Sequence, residues 1–253
     1  VPNLDDPITT GMRIPAPAPA AEQPCAPTQP APSSAAVLAN SQTLRAALEE
    51  PVPQTPQFNC LVAGVGGQGA VLASRLIAAA AMDQGAFVRT AETIGMSQRG
   101  GSVTSHVRVG ATARDLPSSL IPPRAAQLVL AFEPGEAVRA FKFLAPGGAL
   151  VCATRPVVPS AAATSGYDGQ AQLKWLAAQL DRRSFVAVDT AVLEREGLSP
   201  KCANVLLLGA AVGLGALPFG APELRAAMRQ LMKPKLIDMN DQALALGLQL
   251  AAR

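Results

Sequence analysis

The sequence predicts an α/β fold: a mainly parallel sheet flanked by helices, with a helical C-terminal region and an extended N-terminal tail. Three observations carry that expectation. From Phe58 onward, short apolar or β-branched runs alternate with segments of helical periodicity. From Ala203 to Arg253 the pattern is mostly helical, punctuated by Pro218, Pro222 and Pro234. Before Phe58 stand 12 of the 23 prolines, among Ala, Gln and Ser, a composition that favours polyproline II or coil over a packed core. The chain of 253 residues therefore divides into a tail, residues 1–57, and a folded domain, residues 58–253.

Within the tail only Ser34 to Glu50 has helical spacing, through Val37, Leu38, Leu44 and Leu48. A partner subunit is the simplest agent that could order the rest. In the domain, Asn59 to Ala63 reads as a buried strand and Gly69 to Met82 as a helix. Phe87 to Ala91 and Ser102 to Val109 read as strands, the latter with β-branched alternation. Gln127 to Phe132 is the next strand, and Glu133 to Phe143 a short amphipathic helix ended by Pro146-Gly147-Gly148. Ala149 to Ala153 and Phe185 to Val188 complete the strands. Gln170 to Leu180 reads as an amphipathic helix with Trp175 in its packing face. Asp189 reads as the cap of a helix over Thr190 to Arg195.

Composition excludes several classes. With 49% hydrophobic and only 15% charged residues, the chain can bury a sizeable core. The net charge is +3 without a basic run, and aromatics make up 4%, which disfavours a nucleic-acid binder. The longest apolar stretch, Ala203 to Leu217, is too short to span a bilayer and contains Asn204 and three glycines. The N-terminus shows no secretory pattern. Cys25, Cys60, Cys152 and Cys202 are dispersed with no C-x-x-C pair, so a metal or iron–sulfur site built from this chain alone is not expected. They read as free thiols in a reducing cytoplasm.

Two loops carry the chemistry. Gly64-Val65-Gly66-Gly67-Gln68-Gly69 follows the first strand and opens the first helix with G-x-G-x-x-G spacing. Glycines there permit a tight turn and close approach to amides at a helix N-terminus. Glu92 lies 23 positions beyond Gly69, where a Rossmann enzyme holds a ribose. Taken alone, this loop describes a Rossmann-like site in a self-sufficient NAD- or FAD-dependent oxidoreductase, or glycines that only let the helix pack closely.

The second loop, Gly95-Met96-Ser97-Gln98-Arg99-Gly100-Gly101-Ser102, joins the second and third strands. Both loops follow the carboxyl end of a strand and are expected to lie near one another. Arg99 could hold a phosphate or carboxylate bidentately. Ser97 and Ser102 could bond a ligand or only satisfy turn amides. His106 is the only histidine, set mid-strand, and reads as a structural hydrogen-bonding residue.

These residues, with Ser105-His106-Val107-Arg108, resemble the gamma-domain family of 2-oxoacid:ferredoxin oxidoreductases, most closely its indolepyruvate branch of small subunits. Ala131-Phe-Glu-Pro134, Pro146-Gly-Gly148, Thr154-Arg-Pro156, Asn204-Val-Leu-Leu-Leu-Gly209, Lys233-Pro-Lys235 and Asn240 to Gly247 agree with it, over about residues 58–253.

The resemblance implies oxidative decarboxylation of a 2-oxoacid with CoA to an acyl-CoA, CO2 and reduced ferredoxin, the substrate being an arylpyruvate such as indolepyruvate or phenylpyruvate. It implies that a large partner subunit holds thiamine diphosphate, Mg2+ and the [4Fe–4S] clusters, in a heterotetramer with two copies of each subunit. This chain would hold no catalytic residue and no cofactor by itself. It would complete the site through Gly64, Gly66, Gly67, Gln68 and Gly69 on one loop and Met96, Ser97, Gln98, Arg99, Gly100 and Gly101 on the other. Arg99, Arg108, Lys233 and Lys235 would neutralise CoA phosphates or hold the partner, and Glu92 would help fix the second loop. The remaining alternatives are the dinucleotide enzyme above and a non-catalytic assembly subunit whose tail staples its partners.

Overall fold

Six strands build one sheet: β1 (Phe58–Val65), β2 (Phe87–Ile94), β3 (Ser102–Gly110), β4 (Ala126–Ala131), β5 (Leu144–Ala153) and β6 (Phe185–Val188). Their order across the sheet is β2-β3-β1-β4-β5-β6. The structure, a computed structural model, describes residues 57–94, 101–157, 167–181 and 183–251. These residues all belong to one unit, Pro53–Arg253. The expected tail helix lies outside the described residues.

β1 pairs in parallel with β4, β4 with β5 and β5 with β6. β3 runs antiparallel to both β1 and β2, so one reversed strand sits inside an otherwise parallel sheet. The near-continuous apolar runs of β1 and β4 follow from burial on both faces. Cys60, Val62, Leu128 and Leu130 face one helical layer, and Leu61, Ala63, Val129 and Ala131 the other.

The first layer holds α1 (Ala70–Asp83), α5 (Ala203–Gly213), α6 (Ala221–Leu231) and α7 (Ile237–Ala251). The second holds α2 (Pro134–Ala140) and α3 (Gly169–Gln179), while α4 (Val192–Arg195) is a single turn after β6. α5 is buried along most of its length because α7 packs over it. Gly209 and Gly247 make that approach possible: a Cβ on either would collide with a backbone carbonyl, Leu244 O and Leu206 O respectively.

The chain leaves β1 through α1 toward β2 and leaves β4 through α2 toward β5. The crevice between the carboxyl ends of β1 and β4 is thus the topological switch point of the sheet, the place where such folds bind ligands.

Three expectations are corrected. Pro146-Gly147-Gly148 does not end a helix but lies within β5, where the register shifts between Ala126 and Leu128. Gly147 takes φ 74° in that bulge, and a Cβ on Gly148 would meet Ala126 O at 2.9 Å. The preceding helix stops at Ala140 and tightens to a 3-10 turn over Phe141–Phe143. Trp175 is not core: it is 43% exposed and meets Phe141 edge-on at 5.2 Å, while Leu173 and Leu176 carry the buried side of α3.

Candidate functional site

The glycine loop sits at the switch point. Gly64 still belongs to β1, and a Cβ there would stand 3.0 Å from both Phe132 Cβ and Gln68 Oε1. The Gly66 amide donates to Gly101 O at 2.9 Å, which joins the loop to the chain entering β3. Gly67 has φ 100° and Gly69 φ 84°, the left-handed region open mainly to glycine. Gly69 is the N-cap of α1 and brings no side-chain acceptor to the helix start. Gln68 folds back as a brace: Val65 N donates to its Oε1 at 2.7 Å, and its Nε2 donates to Phe132 O at 3.1 Å. It ties β1 to β4 across the crevice.

Met96, Ser97, Gln98, Arg99 and Gly100, like Gly95, lie outside the described residues. Gly101 and Ser102 are described, and both are anchored: Gly101 by Gly66, and Ser102 by its hydroxyl, which donates to Glu136 Oε2 at 2.6 Å.

Beside the glycine loop opens a cleft of about 430 Å³. Gly67, Gln68 and Gly69 form one wall. Arg155 and Thr190, just past the ends of β5 and β6, form another, and Lys201 and Asn204 at the start of α5 close it. Among the described residues no carboxylate lines it. Arg155 makes only a loose, exposed pair with Glu194 at 3.7 Å. Among the described residues Lys201 has no ion pair, and Asn204 Nδ2 no acceptor, since only its Oδ1 is engaged by Val205 N at 2.9 Å. A cleft with cations, free amide hydrogens and no acid suits an anion.

The described residues do not suit an iron–sulfur cluster or a metal-bound diphosphate. Cys60, Cys152 and Cys202 are buried, and burial pushes each thiol up, away from the thiolate a cluster needs. Among the described residues no three His, Cys, Asp or Glu side chains converge. A Mg2+-bridged diphosphate would find no carboxylate ligand among the described residues of the cleft.

Several sequence-selected residues fall elsewhere. Arg108 does not reach the cleft. It is 7% exposed, and its guanidinium donates to Asn59 Oδ1 (2.9 Å), Ser118 O (2.7 Å), Leu120 O (3.4 Å) and Gln57 Oε1 (3.2 Å). Its burial holds the guanidinium below its usual pKa. It is a structural staple, because four of its five hydrogens are already committed. Lys233 and Lys235 are exposed around the turn before α7, whose first part packs beside Pro200–Cys202. His106 accepts from Ile121 N at 3.1 Å and stands edge-on to Phe143. Burial lowers its pKa, so it is a neutral strut. Asp189 accepts from Ala191 N at 3.0 Å and pairs with Arg195 at 2.8 Å.

Glu92 is exposed on β2 opposite Ser105. In a Rossmann site the ribose-binding acid ends the strand adjacent to β1. Here β3 intervenes, which places β2 two strand spacings away, roughly 10 Å. The G-x-G-x-x-G spacing is present without its acid in reach.

Arg155, Lys201, Asn204 and the buried Glu133–Glu136 pair were not selected as site residues. Glu133 caps α2: it accepts from Glu136 N at 3.0 Å, and the Tyr167 hydroxyl donates to it. Its burial raises its pKa against the pull of the surrounding amides. The available signal was position, since Arg155 and Glu133 each stand two residues beyond a strand that the sequence does reveal.

Fold and site together define an α/β domain whose glycine loop borders an anion-compatible crevice. The model of the family "pyruvate ferredoxin/flavodoxin oxidoreductase" matches residues 59–250. The chain is 38% identical to indolepyruvate oxidoreductase subunit IorB of Archaeoglobus fulgidus, over 76% of this chain and 94% of that protein. It is 33% identical to the subunit of the same name from Pyrococcus horikoshii, over 77% and 96%. The gamma subunit of a keto/oxoacid ferredoxin oxidoreductase from Geobacter sulfurreducens shares the fold at TM-score 0.55 and 20% identity, over 77% of this chain and 98% of that one. The chain belongs to the pyruvate ferredoxin/flavodoxin oxidoreductase family, as a subunit of a 2-oxoacid:ferredoxin oxidoreductase.

Among the described residues no helix is long and apolar enough to cross a membrane.

Proposed function

We propose that this chain is the small subunit of an indolepyruvate-type enzyme and that it completes an active site held by a large subunit. The complex converts an arylpyruvate, such as indolepyruvate or phenylpyruvate, with CoA into the aryl-acetyl-CoA and CO2, passing two electrons singly to ferredoxin. Thiamine diphosphate, bound with Mg2+ in the large subunit, supplies the carbanion-stabilising chemistry, and [4Fe–4S] clusters there carry the electrons. Two copies of each subunit form the assembly, which works in the reducing cytoplasm.

The observation that carries this reading is the placement, at one end of the sheet, of the glycine loop, Gly101 and a cleft bearing Arg155, Lys201 and Asn204 with no carboxylate among its described residues. In this reading the cleft takes the phosphates of CoA. Arg155 and Lys201 neutralise them, the Asn204 amide donates to them, and Gly67 and Gly69 let them approach the backbone. Lys233 and Lys235, exposed before α7, extend the same cationic edge toward the partner.

The test is reconstitution. This chain and its large subunit are co-expressed, purified anaerobically, and assayed for CoA- and 2-oxoacid-dependent reduction of a viologen dye. Activity only in the complex, highest with arylpyruvates in a substrate panel, is the expected result. Tight, stoichiometric NAD or flavin binding by this chain, with no activity in the complex, would overturn the reading.

A further inference from the structure

We propose that Glu136 is the positioning residue for the glycine loop where it meets the start of β3, acting through Ser102. α2 is held at the carboxyl end of β4 by Pro134 at its first position and by the Glu133 cap. A glutamate three residues into a helix ordinarily reaches back to the N-cap amide. Glu136 instead reaches across the sheet, where Ser102 Oγ donates to its Oε2 at 2.6 Å and Arg139 pairs with its Oε1 at 2.5 Å. It is 3% exposed, whereas Arg139 stays largely in solvent. A buried carboxylate is a costly way to hold a helix to a sheet that apolar residues could hold as well. What it adds is direction, because its Oε2 is met by the hydroxyl of one residue, Ser102.

That position matters. Ser102 is the first residue of β3 and pairs with Val65, the last of β1. Its neighbour Gly101 offers the carbonyl that accepts from Gly66 N. A continuous chain of contacts therefore runs from Arg139 through Glu136, Ser102 and Gly101 to Gly66. Glu136 sets the height at which the chain enters β3 and so fixes Gly66 against Gly101. The inference rests on the proposed placement of the glycine loop at the CoA-binding face, and its test separates the two.

Glu136→Ala and Ser102→Ala are made in the reconstituted complex, with Glu136→Gln and Ser102→Thr as conservative variants. Ser102→Ala guards against a folding defect at Glu136. The expected result is a CoA KM raised about tenfold in both alanine variants, as for a sub-ångström loss of alignment, with the 2-oxoacid KM unchanged and thermal midpoints near wild type. Both conservative variants restore most of the affinity, since each keeps the hydroxyl–acceptor bond. Hydrogen exchange at the Gly66 amide rises about tenfold in the alanine variants relative to the wild-type complex. Wild-type CoA affinity and Gly66 exchange in the alanine variants would overturn the proposal. So would a uniform fall of kcat and thermal midpoint that the conservative variants fail to rescue. If the wild-type complex itself shows no CoA dependence, the functional reading fails, while Gly66 exchange still decides whether Glu136 positions the loop.

Discussion

The two ends of the sheet use similar residues to opposite effect. At the amino end, Arg108, Asn59 and Gln57 form a closed network, with Asn59 Nδ2 also donating to Ala125 O and Gln57 Nε2 to Asp115 O. At the carboxyl end, Arg155, Lys201 and Asn204 surround a cleft and leave their donors largely free among the described residues. A cation with four of its five hydrogens engaged by carbonyls and amides locks the fold. A cation with donors to spare can lock a ligand.

That contrast can be broken by mutation. Arg108→Ala should cost the most, on the order of 3 kcal/mol, because it leaves several buried acceptors unpaired at once. Urea denaturation measures it, and CoA affinity in the surviving folded fraction should not move. An unchanged midpoint would show that the network is not closed after all.

Gly69→Ala comes next, at roughly 2 kcal/mol, since φ 84° disfavours a side chain and the new Cβ would stand 2.9 Å from Asn204 Nδ2. Unlike Arg108→Ala, it should also weaken CoA binding by displacing Asn204, and Gly67→Ala, with nothing within 4 Å of its Cβ, should spare Asn204. Lys201→Ala sharpens the comparison from the other side: a CoA KM raised about tenfold, equivalent to ~1.4 kcal/mol, with stability unchanged.

The smallest expected effect is a pH slope at His106. Burial lowers its pKa in the folded state from 6.5, so the unfolded chain takes up the proton first as pH falls. Its contribution to stability is therefore complete above that pH and declines below it, by at most about 1.4 kcal/mol per pH unit. Denaturation midpoints at pH 5.5 and 7.5 should diverge less in His106→Gln than in wild type.

Much of the fold is legible in the sequence. The β1 run, the β-branched β3 and the helical final third each declare themselves through periodicity, because burial on two faces or one stripe imposes the pattern locally. Strand pairing does not. Nothing in Ser102–Gly110 says that it inserts between β1 and β2, yet that insertion carries Glu92 away from the glycine loop. The bulge at Gly147–Gly148 reads as a helix stop for the same reason, since Pro-Gly-Gly breaks a helix and bends a strand equally well.

The sequence by itself determined the α/β class, the glycine loop and the family resemblance, because tight turns, buried strands and helix starts demand particular residues at fixed local spacing. Only the tertiary structure decided that Arg108 is a staple, that Gln68 braces β1 to β4, and that Arg155, Lys201 and Asn204 share one cleft. Those assignments depend on which hydrogen-bond partners arrive from residues tens of positions away, and a side chain's own letter carries no record of whether its donors are already taken.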